Sequence, residues 1–298
     1  MPNPSVPNDT HSEVSLHLPE ATGYGTPKMQ LGWIQTEPVY GEPQVNLSAV
    51  EAVFRKQKAD LWILPELFST GYLFGSREEL ESLCEPVPYG PTVGALVELA
   101  ADSETALVAG IAERGEDGKL YNTAVAIDAG GVRARYRKIH LFDLEKIWFD
   151  SGNSPNPVVP LAGARVGLLI CFDWRFPEVA RSLTLQGAQI LAHPSNLVQP
   201  HCQAAMVTRA LENRVFTVTA NRVGTEERDE WKLSFTGGSR IAGPDGRLLS
   251  DGSTSEVASD VVDIDPALAD DKRVTPRNDL LDDRKPACYR LDEPNGDI

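Results

Sequence analysis

Three ionisable residues stand at the carboxyl ends of segments with strand character: Glu66 closing "LWILPE", Lys138 closing "RARYRK" and Cys171 near the end of "RVGLLIC". Open α/β sheets place their ligand sites at such strand ends. The types are complementary. A thiol needs a base to become a nucleophilic thiolate, and the oxyanion formed when it attacks a carbonyl needs a positive charge nearby. Taken singly, each has a plain alternative: an inert core thiol, a solvated lysine, a locally paired glutamate. Cys171 is the hardest to read as core, because "FDWRFP" follows at once and then a helical pattern, "PEVARSLTLQG". A strand-to-helix turn there would lift the sulfur out of the sheet, as a nucleophile elbow does.

Strand and helix signals alternate around these residues. "MQLGWIQ", "DLWILPE", "TALVAGIAE", "YNTAVAID" and "VRARYRK" read as strands, with helices over "NLSAVEAVFRKQ" and "VGALVELAADS". Beyond the cysteine segment come the strand "QILAHPS", the helix "CQAAMVTRALENR", the strand "VFTVTAN", a hairpin-like "FTGGSRIAGPDGRLLSDG" and a last strand, "SEVASDVVDID". The pattern is layered α/β, and periodicity does not choose between a doubly wound sheet and mixed or antiparallel pairing. Residues 1–28 are rich in Pro, Ser, Thr and Asn and read as an N-terminal tail, with one domain over residues 29–298.

Composition narrows the function. Of 298 residues, 41% are hydrophobic and 24% charged, and 43 acidic against 28 basic side chains give a net charge of −15. That balance argues against nucleic acid and anionic membrane as partners. No segment approaches the ~20 apolar residues of a membrane span, and the first residues lack a signal peptide's basic start and apolar centre. The four cysteines, Cys84, Cys171, Cys202 and Cys288, are scattered without a CxxC, which suggests reduced thiols and a cytoplasmic setting. The histidines show no HxxxH or HxH spacing, and no GxGxxG or Walker-type glycine run follows a strand. Neither a metal centre nor a nucleotide cofactor is expected, and no other cofactor is implied.

The blocks "ILPELFSTGY", "YRKIHLFDLEK" and "GLLICFDWRFPEVAR" resemble the three signature blocks of the nitrilase superfamily, the carbon-nitrogen hydrolases, in the order Glu, Lys, Cys. The likeness runs from about Met29 to the strand near Asp263 and leaves the tail uncovered. It implies an αββα four-layer sandwich with two mixed sheets, and a homodimer joined through the helices 177–186 and 202–213. It further implies Glu66 as general base, Cys171 as nucleophile, and Lys138 with the Phe172 backbone N–H as oxyanion donors. Glu145, seven residues after Lys138, falls where the family has a second glutamate; composition alone would leave it on the surface. Tyr72, Trp174 and Asn196 are pocket candidates near the strand ends. The form Cys-Phe-Asp-Trp-Arg-Phe-Pro-Glu is similar to the amidase, omega-amidase and carbamoyl-amidohydrolase branches. Hydrolysis of a small aliphatic amide is therefore expected, with nitriles or N-carbamoyl compounds as alternatives. A non-catalytic interaction module is the reading from a different class.

Overall fold

The computed structural model describes residues 28–228 and 230–289. All but the final residue of the proposed tail thus lies outside the described residues. The chain begins β1 (Met29–Gln35), α1 (Pro43–Lys56), β2 (Leu61–Ile63), α2 (Arg77–Leu83), α3 (Pro91–Asp102), β3 (Ala106–Arg114), β4 (Leu120–Asp128) and β5 (Gly131–Arg137). The middle holds α4 (Glu145–Trp148), β6 (Val158–Leu161), β7 (Ala164–Leu168), a 3₁₀ turn (Cys171–Arg175), α5 (Pro177–Leu185), β8 (Ile190–Pro194), α6 (Cys202–Asn213) and β9 (Phe216–Ala220). Then follow β10 (Thr225–Arg228), β11 (Trp231–Ser234), β12 (Arg240–Ala242), β13 (Leu248–Asp251), β14 (Ala258–Ile264), β15 (Arg273–Thr275) and β16 (Asn278–Asp279).

Two six-stranded sheets result, ordered β14-β1-β2-β3-β4-β5 and β13-β12-β9-β8-β7-β6. Each holds a parallel trio, β1–β3 or β7–β9, flanked by antiparallel strands. The sheets are mixed for a local reason. Helical crossovers join the parallel strands, while short turns such as Ala129-Gly130 between β4 and β5 force antiparallel neighbours.

Side-chain alternation assigns the layers. Leu61 and Ile63 of β2 join a core shared with Val166 and Leu168 of β7 and Ile190 and Ala192 of β8. Trp62, between them, packs the other way against Val50 and Phe54 of α1 and Leu96 of α3. A Cβ on Gly32 would lie 2.6 Å from the Trp62 ring, so a glycine is required where β1 passes that indole. On the far side, Leu183 of α5 lies against Gly167 of β7, and the Met206 carbonyl of α6 accepts from the Thr217 hydroxyl of β9. The architecture is αββα, as the resemblance implied.

Several boundaries differ from the sequence expectation. Helix α1 starts at Pro43, not at Asn46, because proline suits the first helical position. Asn46 instead turns inward, accepting from Val39 N and donating to the Val39 and Ser69 carbonyls. Strands β2, β5 and β7 stop three, one and three residues short of Glu66, Lys138 and Cys171, so the site residues sit in the turns after the strands. Strand β14 is not the last, since β15 and β16 form a small hairpin beyond it. Among the described residues no helix is long and apolar enough to cross a membrane.

Candidate active site

Cys171 opens the 3₁₀ turn with φ of +39°, a left-handed conformation that a non-glycine residue holds only when its surroundings impose it. Two buried groups do so. His193 on β8 donates from Nε2 to the Cys171 carbonyl at 2.9 Å, and its Nδ1 lies 3.0 Å from the Thr219 hydroxyl. A carbonyl only accepts, so the Nε2–H tautomer is fixed and Nδ1 accepts from Thr219. Burial lowers the His193 pKa to about 4, so the ring stays neutral. Asp173 accepts from Ile170 N and from the Tyr136 hydroxyl, each at 2.9 Å, and its Oδ1 lies 2.7 Å from His140 Nδ1. These bonds join the cysteine turn to β5 and to the residues just after it.

Lys138 leaves the end of β5 fully buried and donates to Glu66 Oε1 and Glu145 Oε1, both at 2.7 Å. Asn122 on β4 donates to the same Glu66 oxygen at 2.6 Å, leaving Glu66 Oε2 buried without a hydrogen-bond partner. Glu145 is buried as well. Its Oε1 also accepts from the Tyr72 hydroxyl at 2.7 Å, and its Oε2 from Phe142 N at 3.1 Å. The surface placement that composition favoured for Glu145 is overturned, because the turn after β5 folds "DLEK" back onto the lysine.

The charges do not cancel: two carboxylates face one ammonium. Burial and the Glu66 charge raise the Glu145 pKa to about 7 against the pull of Lys138. Lys138 is held well above its ordinary value, since burial, which disfavours the ammonium, is outweighed by Glu145 and Glu66. Burial and the carboxylates of Glu66 and Glu145 push the Cys171 thiol far up, while Lys138 and the Asn196 backbone N–H pull it down. Cys171 is thus held as a thiol, and any attack by its sulfur would require a proton acceptor within the site.

A hollow of about 20 Å³ lies at the sulfur, lined by Cys171, Phe142, Phe172, Trp174, Asn196 and Leu197. Both Asn196 side-chain polar atoms are buried here without partners. The pocket candidates Trp174 and Asn196 line this hollow with Phe172, whereas Tyr72 enters the site through Glu145.

Comparison with known proteins supplies the family. The carbon-nitrogen hydrolase family profile matches residues 32–273. The chain is 44% identical over 264 residues to a nitrilase of Pyrococcus abyssi (strain GE5 / Orsay), covering 88% of this chain and 99% of that protein. This chain belongs to the carbon-nitrogen hydrolase family. The hydrolase is also 34% identical over 209 residues to an (R)-stereoselective amidase of Pseudomonas sp., covering 69% of this chain and 73% of the relative. Among solved structures it is similar to a mutant amidase from Nesterenkonia sp. AN1 that shows covalent addition of the acetamide moiety of fluoroacetamide at the active-site cysteine. That likeness has a TM-score of 0.72 and 28% identity, covering 88% of this chain and 95% of that one. An enzyme with an active-site cysteine and a small-molecule substrate follows from the family.

Sequence reasoning missed several supports of this hydrolase's site. Asn122 sits in "YNTAVAID", where a polar residue facing a buried layer was the available signal. Asp173 and His140 lie inside the family-like blocks with no local signal of their roles, and His193 carries none either, since no histidine has metal-ligand spacing. The bonds joining Asp173 to Tyr136 and His140, and His193 to Cys171, span 22 to 37 residues of chain, beyond the reach of local pattern.

Proposed function

We propose that this hydrolase cleaves the C–N bond of a small amide through a Cys171 thioester. The observation that carries the reading is the Glu66 carboxylate: one oxygen is held by Lys138 and Asn122, and the other is free, in the same buried cluster as a protonated Cys171. A general base must keep such an oxygen open. Glu66 takes the thiol proton as sulfur bonds to the carbonyl carbon. Lys138 and the Phe172 backbone N–H stabilise the oxyanion. Collapse breaks the C–N bond, and Glu66 delivers its proton to the departing ammonia. Water then gives a proton to Glu66 as it attacks the thioester. The acid leaves, and the proton returns to sulfur. Glu145 holds Lys138 in place, and Asn196, Phe172 and Trp174 receive the acyl group. No cofactor enters the sequence of steps.

Nitrile hydrolysis is the second reading, favoured by the 44% identity to the Pyrococcus abyssi nitrilase. Ammonia release from propionamide and propionitrile, with mass-spectrometric trapping of the acyl-enzyme, separates the two. Faster release from propionamide is expected. The reverse order would promote the nitrile reading, and release from neither would overturn both.

We further propose residues 29–298 as one hydrolase domain with a C-terminal extension, and a homodimer through α5 and α6. Exposed Leu185 and Leu211 on those helices support the dimer. A monomer by light scattering at micromolar concentration would reject it.

A further inference from the structure

We infer that the buried Arg222–Glu226 pair, on and beside the β10 hairpin, is a positioning device that aims the Tyr72 hydroxyl at Glu145. Glu226 accepts from Tyr72 N at 3.0 Å and Leu73 N at 2.6 Å, and it forms an ion pair with Arg222. The Arg222 guanidinium lies 3.9 Å over the Phe235 ring, and Phe235 meets the Tyr72 ring edge-on at 5.9 Å. The pair therefore grips Tyr72 twice, by its backbone and by its ring. Gly71 makes the approach possible: a Cβ there would stand 3.0 Å from Glu226 Oε1, and its φ of +83° suits glycine.

From Tyr72 the chain of bonds continues, hydroxyl to Glu145 and Glu145 to Lys138, each 2.7 Å. Two charged side chains buried this deeply cost solvation, and a surface loop would be fixed more cheaply by apolar packing. Their placement is explained by the precision that the second carboxylate requires, since errors on the order of 1 Å cost catalysis about 10²-fold. Glu226 touches neither the sulfur nor the hollow, so it acts through Tyr72.

The inference rests on the amide-hydrolysis reading for its rate prediction but also has a readout of its own. Glu226→Gln, Tyr72→Phe and the double variant are compared for amide turnover, and for the pH profile of Cys171 alkylation by iodoacetamide. The Tyr72 hydrogen bond lowers the Glu145 pKa, and the Glu145 charge pushes the Cys171 thiol up. Losing the bond in either single variant therefore keeps Glu145 neutral to higher pH and should move the acid side of that profile downward by the same amount. Each single variant should lower kcat about tenfold or more, and the double variant no further than Tyr72→Phe alone. If Glu226→Gln does not fold, Arg222→Met with Glu226→Gln, which leaves no unpaired buried charge, is measured in its place. A Glu226 variant with wild-type kcat and alkylation profile, altered only in Tm, would overturn the inference, as would multiplicative losses in the double variant. Failure of amide turnover in the wild type would fall on the amide reading, while the alkylation profiles still decide the clamp.

Discussion

Arg137 and Lys138 are consecutive at the end of β5, yet they serve two unlike clusters. Arg137 donates twice to Glu113 of β3, which also accepts from Arg135 and from the Thr123 hydroxyl. Both oxygens of that buried carboxylate are thereby filled, and the Arg137 guanidinium lies 3.9 Å over the Tyr121 ring. Lys138 points to the opposite side and meets Glu66 and Glu145. The preceding strand repeats the division, Thr123 reaching Glu113 and Asn122 reaching Glu66. One cluster is complete and the other is not. Filled hydrogen-bond capacity fixes a structure, whereas an open oxygen beside excess negative charge leaves a group able to move a proton.

The largest contrast between the clusters should appear on removing the sulfur. Cys171→Ala is expected to fold and to lower ammonia release by about 10⁴-fold or more, as loss of a covalent nucleophile does elsewhere. Appreciable turnover in a folded Ala variant would reject this nucleophile. Next in size is Glu145→Gln, for which amide turnover should fall on the order of 10²-fold through misplacement of Lys138. Alkylation of Cys171 should persist there, because Glu66, the proposed base, is unchanged. Wild-type kinetics would return Glu145 to a structural role.

The complete cluster should answer differently. Glu113→Gln leaves two partly exposed guanidinium groups without their carboxylate, so a loss of roughly 1–3 kcal/mol in urea unfolding is expected. Amide kcat should change less than about twofold, since that carboxylate lies outside the bonds made by Lys138. A loss of activity at unchanged stability would erase the division between the clusters.

The pH dependence is subtler. The Glu145 pKa is raised, so raising the pH through about 7 ionises it and strengthens its hold on Lys138. Turnover should therefore rise across that window, and the step should vanish in Glu145→Gln. His193 stays neutral through this range, having a pKa of about 4, so it is not the source of the step. Persistence of the step in Glu145→Gln would assign it elsewhere in the cluster. The smallest effect concerns Cys84, whose thiol burial pushes up to about 12. Cys84→Ser should keep most activity, and a large loss would bring a second thiol into the chemistry.

The three strand-end residues were legible because each combines a local strand pattern with a residue type that such an end does not need for packing. The four-layer arrangement came from the resemblance of three blocks, since periodicity alone left the sheet pairing open. Glu145 shows where local reading stops: the six residues between them, 139–144, fold back to bring it onto Lys138, and composition pointed the other way. Asn122, Asp173, His193 and Glu226 were not read as site residues, because the bonds that tie them to Glu66, Tyr136, Cys171 and Tyr72 span 22 to 154 residues of chain.

The sequence by itself determined which groups are available, in what order and near which strand ends, because side-chain chemistry and hydrophobic period are local properties. Only the tertiary structure decided which of them are buried together and which oxygen of each carboxylate is left open. It also decided that neighbours such as Arg137 and Lys138 work on opposite sides of one sheet. Those outcomes depend on strand register and desolvation, and both are set by contacts between segments distant in the chain.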